Sequence, residues 1–205
     1  TVDMAACLAL GKDWHGHKTH QAPVIYLAGE GLRNISRRFV AWSKINKAEI
    51  HQAPLMISSR GARLLDDKDH QLLKDTISAT EDEYGDIGMI IVDTLARNFG
   101  GGNENAPMDM GEFIMACDRL IKDLNCCVVT VHHTGKAASA GARGHSSYFA
   151  ALTTEIKVEA LGNFDIVVKN TKQKDFREFE TLQFVKVETG NSITLEPVIV
   201  SKGNQ

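Results

Sequence analysis

Glu30, Asp93 and the pair His132-His133 each stand at the end of an apolar, β-branched run: Val24–Ala28, Met89–Val92 and Cys126–Val131. Runs without polar alternation read as strands buried on both faces, the signature of a parallel sheet. In open α/β sheets, ligands bind at the carboxyl edge of the strands. If the three strands are parallel neighbours, these groups converge on that edge, and their chemistry is that of nucleotide hydrolysis. A glutamate orients a water for in-line attack, an aspartate holds Mg²⁺ against phosphate oxygens, and a histidine donates to the terminal phosphate. Asp93, followed by Thr94, is the expected Mg²⁺-associated carboxylate, acting through water. Two other readings stay open. Asp93 can be a helix cap, and Glu30, Asp93, His132 and His133 can be the ligands of a metal-dependent hydrolase.

Other polar groups carry less. His15, His17 and His20 form an HxHxxH pattern, but no carboxylate or thiol nearby completes a zinc site, so a solvated loop is expected. Lys172 and Lys174 follow an apolar run and read equally as a charged turn. Cys7, Cys117, Cys126 and Cys127 show no CxxC spacing and are expected as reduced thiols of a cytoplasmic protein. With 205 residues and a net charge of −3, the chain is expected to be a single domain with no global attraction to nucleic acid. Nucleic-acid binding would need a local basic patch. No apolar run has transmembrane length, so no membrane partner is expected.

The elements that must position these groups alternate. A helix is expected over residues 1–10, stopped by Gly11. The strand 24–28 is followed by a helix over 34–47 with Ile35, Phe39, Trp42 and Ile45 inward. A short strand at 54–58 precedes a helix over 64–80 with Leu65, Leu72, Leu73, Thr76 and Ile77 inward. The strand ending at Asp93 leads into a Gly- and Asn-rich segment, 97–107, with the composition of an active-site loop. Met110 to Leu124 keeps the i, i+3, i+4, i+7 pattern of a helix. Beyond the strand 126–131, residues 135–147 are small and basic. The last runs, 153–159, 164–170, 182–188 and 192–200, are expected as antiparallel strands extending the sheet. The expected fold is a three-layer α/β sandwich around a mixed, mostly parallel sheet.

The segments VIYLAGEGLRNISRR (24–38), MIIVDTLARNF (89–99), VVTVHHTGK (128–136) and GARGHSS (141–147) together resemble the successive motifs of RecA-fold ATPases. The group they resemble is the hexameric replicative helicases of the plasmid RepA type, and the resemblance runs from Thr1 to about Asp175. It implies a P-loop NTPase using Mg²⁺ and ATP, with Glu30 as catalytic base, Asp93 as Walker B aspartate and His132 or His133 as phosphate sensor. It further implies that residues 134–147 face single-stranded DNA in the channel of a ring formed by self-association. Lys136 and Arg143 would be the DNA phosphate contacts, supplemented by backbone amides such as that of Gly144. Lys172 and Lys174 would be trans-acting fingers reaching a neighbour's nucleotide. Two departures matter. The stretch Ala150–Thr154 lacks the arginine expected shortly after the Arg-Gly-x-Ser motif. No GxxxxGK[ST] segment occurs in the chain, so a domain truncated at its amino end, with weak ATP binding and negligible hydrolysis, is expected. The alternative is a nonenzymatic RecA-like module for assembly or nucleic-acid binding.

Overall fold

The apolar runs pair side by side. In a computed structural model, which describes residues 1–29, 31–133, 143–162 and 165–198, β1 (Val24–Ala28), β2 (Leu55–Ile57), β3 (Met89–Asp93) and β4 (Cys127–Val131) form a parallel sheet in the order β2-β1-β3-β4. Every residue of β1 is buried, as is β3 up to Val92. This explains their lack of alternation: helices cover both faces.

The helices are α1 (Val2–Leu10), α2 (Leu32–Asn46), α3 (Asp67–Tyr84), α4 (Leu95–Asn98), α5 (Pro107–Leu124) and α6 (Arg143–Ala151), with a short 3₁₀ turn at Ile50–Gln52. Ala5, Ala6 and Ala9 of α1 and Phe39 and Trp42 of α2 pack with Val24, Tyr26, Ala28, Met89 and Ile91, and Leu55 and Ile57 adjoin the same cluster. Met56, between those two residues on β2, must point to the other face, where it borders Thr76, Ala79 and Thr80 of α3. The layers are therefore α1 and α2 on one side and α3 on the other. Right-handed crossovers demand the same division, because β1→β2 and β2→β3 step in opposite directions across the sheet.

The chain divides into two compact units, Thr1–Ala150 and Ala151–Gln205. In the second, β5 (Thr154–Leu161), β6 (Asp165–Gln173), β7 (Leu182–Thr189) and β8 (Ser192–Pro197) pair in chain order as an antiparallel sheet. The α/β class and the antiparallel strands are as expected, but those strands make their own sheet instead of extending the parallel one. Alternation specifies a strand and its faces; it does not specify which edge the strand joins. A register shift between Glu155 and Ile156 is bridged by Asn170, whose amide donates to the carbonyls of Glu155 at 3.0 Å and Lys172 at 2.9 Å.

Other differences concern exposure. β4 was expected to be buried, yet Cys127 is exposed and Val128 to Val131 are half-buried, because β4 is an edge of the sheet among the described residues. Leu72 and Ile45, expected inward, are 56% and 41% exposed. No helix among the described residues is long and apolar enough to cross a membrane.

Candidate nucleotide site

The register places Ala28, Asp93 and Val131 level with one another on three adjacent parallel strands. Parallel neighbours lie about 4.8 Å apart, so the residues that follow these positions share one carboxyl edge. Connections leave β1 and β3 toward opposite sides of the sheet, to β2 and β4. Their carboxyl ends therefore flank the switch point at which open α/β sheets form a ligand crevice.

Asp93 ends β3 half-buried, and its carboxylate accepts a hydrogen bond from the Tyr26 hydroxyl of β1. The helix-cap reading does not describe it: Thr94 occupies the N-cap position of α4, without a side-chain cap bond. The same Tyr26 hydroxyl lies 3.0 Å from Oγ1 of Thr1, the N-cap residue of α1. A carboxylate and two hydroxyls thus meet at the end of the central strands. Burial, and then the hydrogen bond to Asp93, hold the Tyr26 phenol well above its ordinary range, so it stays protonated and donates.

The turn between β1 and α2 is held close to this point. Gly29 N donates to the Asp93 carbonyl at 2.6 Å. A Cβ at residue 29 would overlap Arg97 Cβ, so only glycine allows this approach. Arg97, exposed on α4, is thereby a cation at the same edge. Asn98 beside it is fully buried. It accepts from Ala62 N at 2.7 Å and donates to the carbonyls of Thr94 at 2.8 Å and Leu27 at 3.4 Å. One amide therefore ties together the end of β1, the chain after β2 and the chain after β3. Phe99 stacks on Phe113 of α5 at 5.3 Å, so the segment read as a loop from residue 97 starts with buried anchors.

Past β4, His132 is half-buried with its ring 6.0 Å from that of Tyr148 on α6, and His133 is exposed. Tyr148 is buried, and its hydroxyl shares a hydrogen bond with Thr130 Oγ1 of β4. His132 is thus the better-held imidazole of the pair.

Glu30 and Lys136 lie outside the described residues, as do residues 134–142 of the basic segment, while Arg143 and Gly144 open α6. Lys172 falls within β6, opposite Glu155, and not past a strand end as expected. Lys174 follows the strand, its backbone amide 3.0 Å from the Thr153 carbonyl. Both belong to the second unit. Of the histidine pattern, His15 is bound to Asp3 at 2.6 Å and His17 pairs with Trp14 in an isolated bridge. No group of three or more His, Cys, Asp or Glu able to hold a metal ion occurs among the described residues.

Tyr26, Thr1, Arg97, Asn98 and Tyr148 were not identified from sequence. For Tyr26 a signal exists: a hydroxyl inside an otherwise apolar central strand must find a buried partner.

A comparison with curated proteins returns no match. The family model described as AAA domain matches residues 1–139, which contain Asp93, both histidines and the whole parallel sheet. With most of its length matched on these elements, the chain belongs to the AAA-domain family, whose function is of the ATPase, nucleotide-binding type.

Proposed function

We propose that this chain is the core of an ATP-dependent, DNA-processing ATPase of RecA type, related in role to the replicative helicases. One observation carries the reading. Asp93 ends its strand at the switch point, level with the ends of β1 and β4, where open α/β sheets bind ligands. The Asp93 carboxylate, oriented by the Tyr26 hydroxyl, is a hard oxygen donor of the kind that suits Mg²⁺. Bound with ATP, the ion supplies neutralisation of charge on the β- and γ-phosphate oxygens. Glu30 is the base that orients water, His132 or His133 donates to the terminal phosphate, and Arg97 adds positive charge. Lys136, Arg143 and Gly144 take single-stranded DNA, the intact protein self-associates into a ring, and Lys172 and Lys174 are its trans-acting cations.

Fluorescent-nucleotide binding with and without Mg²⁺ tests the site. We expect weak binding that needs Mg²⁺, is lost in Asp93→Asn and persists in Glu30→Gln. Binding indifferent to Mg²⁺ and to Asp93→Asn removes the reading. For the partner, Lys136→Ala with Arg143→Ala should weaken oligonucleotide binding and flatten its salt slope by about 0.7 per lost phosphate contact. Unchanged binding overturns that assignment.

The alternative is a module that assembles or binds nucleic acid without turnover. It predicts oligonucleotide binding with no Mg²⁺-dependent nucleotide binding.

A further inference from the structure

Two helices on opposite faces of the parallel sheet expose matched surfaces of opposite charge. Over Leu32–Asn46, α2 carries Arg33, Arg37, Arg38 and Lys44 and no acid. Arg33, Arg37, Val40 and Lys44 recur at i, i+4, i+7 and i+11, the stripe facing away from buried Ile35, Phe39 and Trp42. Val40, in the middle of this basic stripe, is 66% exposed.

α3 is acidic toward its carboxyl end, its two lysines, Lys68 and Lys74, lying in its first half. Its last turn holds Glu81, Asp82 and Glu83 and no basic residue. Acids there oppose the helix dipole, a local cost that the fold alone does not require. Beside them a shallow, open depression is lined by Met56 of β2 and by Asp75, Ala79, Glu83 and Tyr84 of α3. Leu72, on the same outer stripe as Asp75 and Ala79, is 56% exposed.

We infer that the α2 stripe of one molecule docks on the α3 groove of a second copy, Val40 entering against Met56 and Ala79 while Arg37 and Lys44 meet Asp75 and Glu83. The spacings agree. Arg37 and Lys44 are ~10 Å apart along their helix, and Asp75 and Glu83 ~12 Å along theirs. The two surfaces lie on opposite sides of the sheet, so a pair of molecules cannot satisfy both contacts at once. The contact is heterologous, leaving one surface free at each end, and it propagates head to tail. It gives the self-association proposed above an interface, yet rests on charge and shape alone, independent of nucleotide or DNA.

Sedimentation and light scattering of the full chain over a concentration and salt series test this. We expect mass above the monomer that grows with concentration and falls at high salt. Arg37→Glu with Lys44→Glu reverses α2, and Asp75→Lys with Glu83→Lys reverses α3. Each double variant alone should weaken association by about tenfold or more, with circular dichroism and urea midpoint near those of the parent. Mixing the two variants should restore association, because each reversed helix then meets its complement. A parent that stays monomeric at all concentrations overturns the inference. Failure of the mixture to recover does so too. Loss of oligonucleotide binding in the α2 variant with unchanged oligomer mass assigns the basic stripe to nucleic acid and likewise overturns it.

Discussion

The Tyr26 hydroxyl donates to the Asp93 carboxylate across neighbouring parallel strands, joining the one polar side chain of β1 to the last residue of β3. Phenylalanine at position 26 would keep the edge-on packing against Phe39, at 5.8 Å between ring centres. It would remove both the bond to Asp93 and the contact with Thr1. Asp93 is half-buried, so water replaces part of what it loses. Tyr26→Phe should therefore lower stability by about 1–2 kcal/mol, read as a lower urea midpoint at unchanged slope. An unaltered midpoint would show that the hydroxyl does not hold Asp93 in solution.

Asp69 gathers two arginines. Arg60 binds both its oxygens, at 2.9 and 2.7 Å, and Arg63 Nε and backbone N each reach Oδ2 at 3.0 Å. The carboxylate is 4% exposed while the arginines are 58% and 51% exposed. Hydrogen bonds from Arg60 and then Arg63 outweigh burial and hold Asp69 well below the usual carboxylate range. Its contribution is therefore complete above the unfolded value near 3.9 and is lost as pH falls below it toward the folded value. Asp69→Asn should cost about 1–3 kcal/mol at pH 7 and flatten the fall in stability below about pH 4. Identical acid slopes in parent and variant would refute this.

Asn98 is the buried joint between three strand ends, and its substitution separates packing from hydrogen bonding. Asn98→Leu keeps the volume but strands the Ala62 N–H, while the Thr94 carbonyl keeps the backbone N–H of Asn98 at 3.1 Å and of Arg97 at 3.2 Å, so the cost is about 1–3 kcal/mol. Asn98→Asp preserves the acceptor for Ala62 N and inserts a charge in its place. Burial favours the neutral acid, so that variant should be weakest at neutral pH and recover as pH falls. Thermal unfolding from pH 4 to 8 checks the sign, and a pH-independent Asn98→Asp would discard the account.

What was legible beforehand follows from which physics is local. Val24–Ala28 and Met89–Val92 announce themselves because a strand buried on both faces has no polar residue to spare. Asp93 and His132 stand out as the first polar groups after such runs. Tyr26, Asn98 and Asp3 do not, because their partners are 67, 36 and 39 residues away and are set by strand register. Helix periodicity located α2 and α3, but the pattern cannot tell an apolar residue in the core from one on an outer stripe. Leu72 and Ile45 were misplaced for that reason. The late strands were recognised by alternation, which is silent about their assembly into a second sheet.

Asp3 offers a direct optical test. The chain has 2 tryptophans, and both donate to this one carboxylate: Trp14 Nε1 to Oδ2 at 2.9 Å and Trp42 Nε1 to Oδ1 at 2.6 Å. His15 Nε2 lies 2.6 Å from Oδ2, which ties the 12–20 loop to the first turn of α1, two residues from Thr1. Burial pushes the acid up, but the bonds from His15, Trp42 and Trp14 outweigh it, and the net shift is downward. This stabilisation is accordingly present above the unfolded value near 3.9 and disappears on acidification below it. Asparagine retains one acceptor and brings an NH₂ that cannot accept, so one indole loses its partner. Asp3→Asn should cost about 1–3 kcal/mol, shift the tryptophan emission at pH 7 and abolish the acid-range emission change that precedes unfolding in the parent. A variant with the parent's emission at both pH values would mean that the indoles do not report on Asp3, and the clamp on α1 would have to be abandoned.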